Sequence, residues 1–237
     1  MKPLIELKNA TFAVNKDRNI INNISTVIYP GDFVVILGGN GSGKSTLLKL
    51  INRTYPLSSG EINLKDKSIA SYNSKAIRRE MVTITQFIAD SIFTDLTIEE
   101  NALLIDEKNA VTATLPYYLS EFNPQLSKAL KTRVKNLSGG EQQILAFALY
   151  LRNQPDLLLL DEHTSALDPK KSDSVMAITQ KIIQQKKITC LMTTHQLDYA
   201  VKYGNRVMAL REGEVVFEAN AVEKNALSIT DLLMYCY

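Results

Sequence analysis

Nine consecutive residues, Gly38-Gly39-Asn40-Gly41-Ser42-Gly43-Lys44-Ser45-Thr46, constrain this chain more than any other stretch. They fit G-x-x-x-x-G-K-[ST], whose glycines let backbone N–H groups turn toward phosphate oxygens. Phe33-Val34-Val35-Ile36-Leu37, just before, is a short apolar, β-branched run that reads as a buried strand. Thr46-Leu47-Leu48-Lys49-Leu50-Ile51, just after, has helical composition and no breaker. The helix N-terminus adds a partial positive charge and unpaired N–H donors. The pattern therefore predicts a nucleoside triphosphate site. Gly38 to Gly43 and Thr46 form the cradle, Lys44 reaches the β- and γ-phosphates, and the Ser45 hydroxyl ligates Mg²⁺. A glycine turn that binds nothing is the plain alternative, and both flanks argue against it.

Composition excludes several partners. With 27 Lys and Arg against 25 Asp and Glu, the formal net charge is +2, and no basic stripe suggests a nucleic acid. Arg78-Arg79 and Lys186-Lys187 read as solvated faces. The only cysteines, Cys190 and Cys236, are too far apart for a C-x-x-C site, and Cys190 reads as a buried small hydrophobe. That usage fits a reducing compartment. Met1 to Glu6 lacks the apolar core of a signal peptide. The longest apolar candidate, Ile144 to Leu151, is far below the roughly 18 residues of a membrane span. The expectation is a cytosolic protein that serves a membrane, if at all, through a partner.

Taken in order, the chain begins with strand signals. Ile5, Leu7 and Phe12 start a strand pair with a loop over Asn15 to Asn19, and Ser25 to Tyr29 reads as a further strand. Glu61 to Leu64 alternates as another strand, and Met81 to Thr85 is one ending at Gln86. From Phe87 to about Lys135 strand signals disappear. Thr97-Ile98-Glu99-Glu100 is a capping box that opens a helix through Leu104. Thr112 to Lys135 has loose helical spacing that Pro116 and Pro124 interrupt. Leu157 to Leu160 restores a buried strand. Asp168 caps a helix with Pro169 in its first position, and Val175, Ile178, Ile182 and Ile183 form its buried stripe. Ile188 to Thr193 is another buried strand, ending at Thr194 and His195. Arg206 to Leu210 and Glu214 to Phe217 make a hairpin around Glu212-Gly213. Ile229 to Leu233 reads as a final helix. A single α/β domain follows, with a core over 1–86 and 136–218, a helical insertion over about 87–135 and a tail over 219–237.

A second stretch narrows the reading. Ser138-Gly139-Gly140-Glu141 satisfies a capping box for a helix over Gln142 to Leu151. Each glycine in a first helical turn costs about 1 kcal/mol relative to Ala, which a plain cap does not explain. Close approach of backbone N–H groups to an anion does. Leu137 to Gln143 resembles the signature motif of ATP-binding-cassette (ABC) ATPases.

The remaining motifs of that family follow in order. Leu157 to Asp161 with Glu162 resembles the Walker B motif, in which Asp161 holds Mg²⁺ and Glu162 polarises the attacking water. Adjacent acids repel, and a divalent cation with a water nucleophile gives a reason for the pair. Ser165-Ala166-Leu167-Asp168 resembles the D-loop that crosses a dimer interface, with Asp168 also a helix cap. Gln86 resembles the Q-loop glutamine, which senses Mg²⁺ and water. His195 resembles the switch histidine that contacts γ-phosphate, and His163 borders the site without acting in it. The resemblance runs from Leu4 to about Phe217 and implies a P-loop NTPase fold, with a RecA-like core, an antiparallel β-subdomain and a helical insertion. It also implies ATP and Mg²⁺ as cofactors and a head-to-tail dimer. Each ATP would lie between the P-loop of one subunit and Ser138, Gly139, Gly140 and Glu141 of the other.

Two positions depart from the family pattern. Val14 stands where an aromatic residue usually stacks on adenine, and Phe12 reads as pointing into the sheet. Glu141 stands where Gln is commoner, and a carboxylate there disfavours closure on phosphate.

One cassette and no long heptad insertion favour the ATPase subunit of a transporter, assembled with separate membrane permease chains and lying on the inner face of the cell membrane. Phe87, Ile88, Ile92 and Phe93 either line a groove for a permease helix or form a local core. Import is the expected direction, with a periplasmic or lipoprotein substrate-binding protein as partner. The alternatives are an exporter, a lipid-transport complex or a soluble non-transport ABC ATPase. Asp161 to Lys170, Tyr203 to Arg206 and Ile229 to Leu233 resemble cassettes that accompany tryptophan/tyrosine-type binding proteins.

Overall fold

The computed structural model describes residues 2–15, 18–105 and 114–236. The chain opens with β1 (Ile5–Asn15) and β2 (Arg18–Ile28), a long antiparallel pair. Ser25 to Tyr29 is therefore not a separate strand but the end of β2. Asn23, at φ 48°, is absorbed within the strand. Opposite it Asn9 takes φ 49°, and Ser25 Oγ accepts from the Asn9 N–H at 2.9 Å, so the pair bends without ending. Lys16 and Asp17, in the expected loop, lie outside the described residues.

The turn Pro30-Gly31-Asp32 leads to β3 (Phe33–Leu37), buried throughout, and the glycine loop leads to α1 (Lys44–Ile51). Then come β4 (Ser59–Leu64), β5 (Lys67–Ser68), α2 (Ser74–Glu80) and β6 (Met81–Ile84). The helical segment holds α3 (Ile98–Ile105), α4 (Leu115–Ser120) and α5 (Pro124–Lys128). The Thr97 box is formed: the Glu100 carboxylate accepts from the Thr97 N–H at 2.7 Å, and Thr97 Oγ1 accepts from the Glu100 N–H at 3.2 Å. Pro116 and Pro124 do not interrupt a helix; each lies in the first turn of its own, where a missing N–H costs nothing. Thr112 and Ala113, the start of that expected stretch, lie outside the described residues. The remaining elements are α6 (Gly139–Leu151), β7 (Leu157–Asp161), α7 (Pro169–Lys186), β8 (Thr189–Thr194), α8 (Leu197–Lys202), β9 (Arg206–Arg211), β10 (Glu214–Ala219), α9 (Ala221–Lys224) and α10 (Ile229–Cys236).

Among the described residues the strands make two sheets. One is antiparallel, in the order β2-β1-β4-β5, and the other runs β10-β9-β3-β8-β7-β6. In the second, β3 pairs in parallel with β8 and β9, β7 pairs in parallel with β6 and β8, and β10 closes the edge antiparallel to β9. The β9–β10 turn has Glu212 at φ 51° and Gly213 at φ 80°, the geometry of a tight hairpin.

Alternation along β3 explains why its run is apolar without a break. Phe33, Val35 and Leu37 face one core with α6, α7 and the helical segment; Val34 and Ile36 face a second core with α1 and the antiparallel sheet. Leu158 and Leu160 of β7 join the first core, and Leu157 and Leu159 the second. A strand covered on both faces favours apolar residues at successive positions. The stripe of α7 is placed as its spacing predicts, with Val175, Ile182 and Ile183 buried and Ile178 packed against them. Cys190 is fully buried in β8.

Candidate functional site

The site is built at the end of β3, where an open parallel sheet leaves a crevice beyond its strand ends. Between β3 and α1 the backbone takes conformations that side chains resist. A Cβ on Gly38 would lie 2.4 Å from both the Leu210 carbonyl oxygen and Ser42 Oγ, and Gly43, at φ 104°, would meet Ile21 Cδ1 at 2.8 Å. Gly43 caps α1 without any side chain, and no acidic residue sits in the first turn. The first N–H groups of α1 thus keep their partial positive charge for an external anion. α6 and α7 differ, since Ser138 and Asp168 cap them from within the chain. Ser42 Oγ is buried in the same loop without a hydrogen-bond partner among the described residues. This cradle fits phosphate.

A cleft of about 320 Å³ opens over the loop, walled by Asn40 to Thr46 and by Gln86, Asp161 and Glu162. Arg18 and Ile20 of β2 form its other wall. Sequence reading missed these two, because Arg18 lies inside the expected Asn15 to Asn19 loop, Ile20 comes directly after it, and neither carries a motif.

The acidic pair comes from the end of β7. Ser45 Oγ donates to Asp161 Oδ1 at 2.8 Å, bringing together two hard oxygens suited to a small divalent cation. Glu162 is at φ 46°, a left-handed conformation that costs a non-glycine residue about 1 kcal/mol or more. Ser165 holds it there, its N–H and Oγ donating to the Glu162 carbonyl at 2.9 and 2.7 Å. The Glu162 side chain reaches an ammonium and an imidazole. Lys44 Nζ lies 3.5 Å from its Oε1, and His195 Nδ1 lies 3.4 Å from its Oε2. Lys44 is buried and also donates to the carbonyls of Gly38 at 2.9 Å and Gly39 at 3.2 Å. One ammonium, one imidazole and two carboxylates therefore converge on the phosphate cradle. That set can bind a polyphosphate, hold a metal against it and orient a water.

His163, next to Glu162, is buried with Nε2 lacking a partner among the described residues, and burial pushes its pKa down to about 4. It is therefore neutral and faces the core. Its carbonyl accepts from Gln143 of α6.

Ser138, Gly139, Gly140, Glu141 and Asp168 lie elsewhere. None of them walls the cleft. Ser138 and Gly139 are exposed, and the Glu141 carboxylate accepts from the Ser138 N–H at 2.8 Å and from its hydroxyl at 2.7 Å. Gly139 also has a local packing reason: a Cβ there would press on Leu167 at 3.0 Å. Asp168 accepts from the Lys171 N–H at 3.0 Å, and the Lys171 side chain holds its carboxyl below the usual range.

The adenine-stacking question has a partial answer. Phe12 stacks on Tyr55, with ring centroids 5.2 Å apart and planes 7° from parallel, so one face of its ring is taken. Val14 is 67 % exposed. The four apolar residues after Gln86 divide: Ile92 is buried and Ile88 packs on the core, whereas Phe87 and Phe93 are 65 % and 60 % exposed. The buried amide of Asn101 clamps Phe93, accepting from its N–H at 2.8 Å and donating to its carbonyl at 2.9 Å. No described helix is long and apolar enough to cross a membrane.

Residues 21–165 match the family described as ABC transporter. The chain is 36 % identical over 246 residues to a tyrosine transport ATP-binding protein of Clostridioides difficile, covering 97 % of each. It is 30 % identical to a phosphonates import ATP-binding protein of Halalkalibacterium halodurans, covering 92 % of this chain and 89 % of that one. Its fold matches cbiO1 of Clostridium perfringens, part of the cbiONQ transporter complex, with a TM-score of 0.84 and 23 % identity, covering 99 % and 96 % of the two chains.

Proposed function

The chain belongs to the ABC transporter family as an ATP-binding, ATP-hydrolysing subunit, and from that premise we propose that it drives import as one of two cassettes beneath separate permease chains. The observation that carries this reading is a separation. Lys44, Ser45, Gln86, Asp161 and Glu162 share one cleft, with His195 against Glu162, while the exposed N-terminus of α6 at Ser138 and Gly139 lies outside it. A head-to-tail pair would bring that second helix end onto the phosphates held by the partner subunit. ATP then joins the two subunits, and hydrolysis releases them.

Within each site the residues divide the work. Gly38 to Thr46 cradle the phosphates, and Lys44 leaves Glu162 to neutralise them. Ser45 and Asp161 would hold Mg²⁺, with Gln86 near it; the ion, when bound, offsets charge that develops on the phosphates. Glu162 orients the attacking water and takes its proton, and His195 supports Glu162 and reaches the γ-phosphate. The exposed Phe87 and Phe93, beside Gln86, form the surface on which a permease helix docks. That docking places the chain on the inner face of the membrane. The relative named for tyrosine transport supports an aromatic amino acid as cargo, delivered by a separate substrate-binding protein.

Size-exclusion chromatography of Glu162→Gln with saturating Mg-ATP tests the pairing. A shift from monomer to dimer that reverses on removing nucleotide is the expected result; a variant that binds ATP yet stays monomeric would sink the shared site.

A further inference from the structure

Thr193 is buried in β8, in a run that reads from sequence as plain core, yet its hydroxyl sits between the two acids of β7. Strand register places Thr193 opposite Asp161. Its Oγ1 donates to Asp161 Oδ1 at 2.8 Å and accepts from the Glu162 N–H at 3.0 Å. A hydroxyl has one proton and two lone pairs, so both bonds form at once. The strand itself does not need this hydroxyl, because valine has the same shape and suits a β-strand equally. With valine, Asp161 Oδ1 would keep only the bond from Ser45, and the Glu162 N–H would be left without its acceptor.

We propose that Thr193 is a positioning residue for ATP hydrolysis. It fixes the Asp161 carboxylate toward Ser45, and it holds the left-handed backbone at Glu162 that aims this side chain at Lys44 and His195. The inference rests on the reading of Asp161 as the metal-holding and Glu162 as the water-orienting carboxylate. Loss of the first bond should loosen the divalent cation. Loss of the second should slow turnover with little effect on nucleotide capture, which belongs to the glycine loop.

The full chain is compared as Thr193→Val, Thr193→Ser and Glu162→Gln. The measurements are kcat and KM for ATP, and the affinity of the nucleotide-bound protein for Mn²⁺ by electron paramagnetic resonance. Thr193→Val should lower kcat about tenfold and weaken Mn²⁺ several-fold, with KM within about twofold, as loss of one buried charge-assisted hydrogen bond implies. Thr193→Ser keeps the hydroxyl and should stay within about twofold of the parent in both readouts. If the valine variant does not fold, Thr193→Ala against Thr193→Ser isolates the same hydroxyl. Parent-like kcat and Mn²⁺ affinity in the variant lacking the hydroxyl would overturn the proposal, as would a serine variant equally impaired. Glu162→Gln separates the two layers. Normal turnover in that variant removes the reading of the acids themselves; silent Glu162→Gln beside normal Thr193→Val removes only the role of Thr193.

Discussion

Lys44 Nζ lies 3.5 Å from Glu162 Oε1, so the cation proposed to meet phosphate starts out paired with the carboxylate proposed to orient water. Capture of ATP must break that pair, and it frees Glu162 in the same movement. Removing either partner therefore has opposite effects. Lys44→Ala loses a charge-assisted bond to phosphate and should weaken ATP binding about tenfold or more. Glu162→Gln releases Lys44 and should bind ATP at least as tightly, while turnover falls about a hundredfold or more. Equilibrium titration with a fluorescent ATP analogue and a phosphate-release assay read the two quantities. Equal loss of binding in both variants would contradict the pairing.

Asp161 Oδ1 accepts from both Ser45 and Thr193, which leaves its other oxygen for a metal-bound water or the metal itself. Asp161→Asn keeps the size and removes the charge. The Mg²⁺ concentration for half-maximal turnover should rise about tenfold, with metal-free ATP binding little changed. A Mg²⁺ titration of ATPase rate is the measurement. An unchanged Mg²⁺ requirement would place the ion elsewhere.

Much of this site was legible because its chemistry is local in sequence. The glycine loop, the Ser138 cap and the Asp161-Glu162 pair each occupy a few consecutive residues with a physical reason for their spacing. Helix starts were legible for the same reason, as the Thr97 and Asp168 caps show. What stayed hidden depends on residues far apart in the chain. Thr193 reads as core until β8 is laid beside β7, and Arg18 reads as loop and Ile20 carries no motif until β2 is folded over the glycine loop. Ser25 to Tyr29 reads as its own strand from local composition, whereas sheet pairing carries β2 from Arg18 to Ile28 through a left-handed Asn23. Pro116 and Pro124 were read as interruptions because proline both breaks and begins helices, and only packing decides which.

Glu141 holds the Ser138 hydroxyl at 2.7 Å, and that hydroxyl is the group a partner's phosphate would need. Its carboxylate also repels phosphate across the proposed interface. Glu141→Gln keeps the reach and the capping geometry but removes the charge. Placed in the Glu162→Gln background, it should tighten ATP-dependent pairing about two- to fivefold, the scale of one partly exposed charge. Sedimentation velocity across protein concentration gives the dimer affinity. Weaker pairing would mean that the carboxylate helps the interface.

Phe87, next to Gln86, and Phe93 expose large rings, and the Asn101 amide holds the Phe93 backbone. The double variant Phe87→Ser, Phe93→Ser removes apolar area from the surface without touching the cleft. Co-purification with the membrane permease should be lost, while ATPase activity of the separate chain stays within about twofold. Retained association would move the docking surface elsewhere.

Val14 is exposed and carries no ring, and Phe12 has one face engaged with Tyr55. The wall formed by Arg18 and Ile20 is what the cleft offers beyond the phosphates. An aromatic residue installed at position 14 has open space around it and lies on the strand next to that wall. Val14→Tyr should tighten ATP binding about two- to tenfold, since stacking between aromatic rings contributes about 0.5–1.5 kcal/mol. The gain should be absent for inorganic triphosphate, which has no base to stack. Parallel titrations with ATP and triphosphate separate the two terms. An equal gain for both ligands would show that the substitution acts on the phosphate cradle rather than on the base.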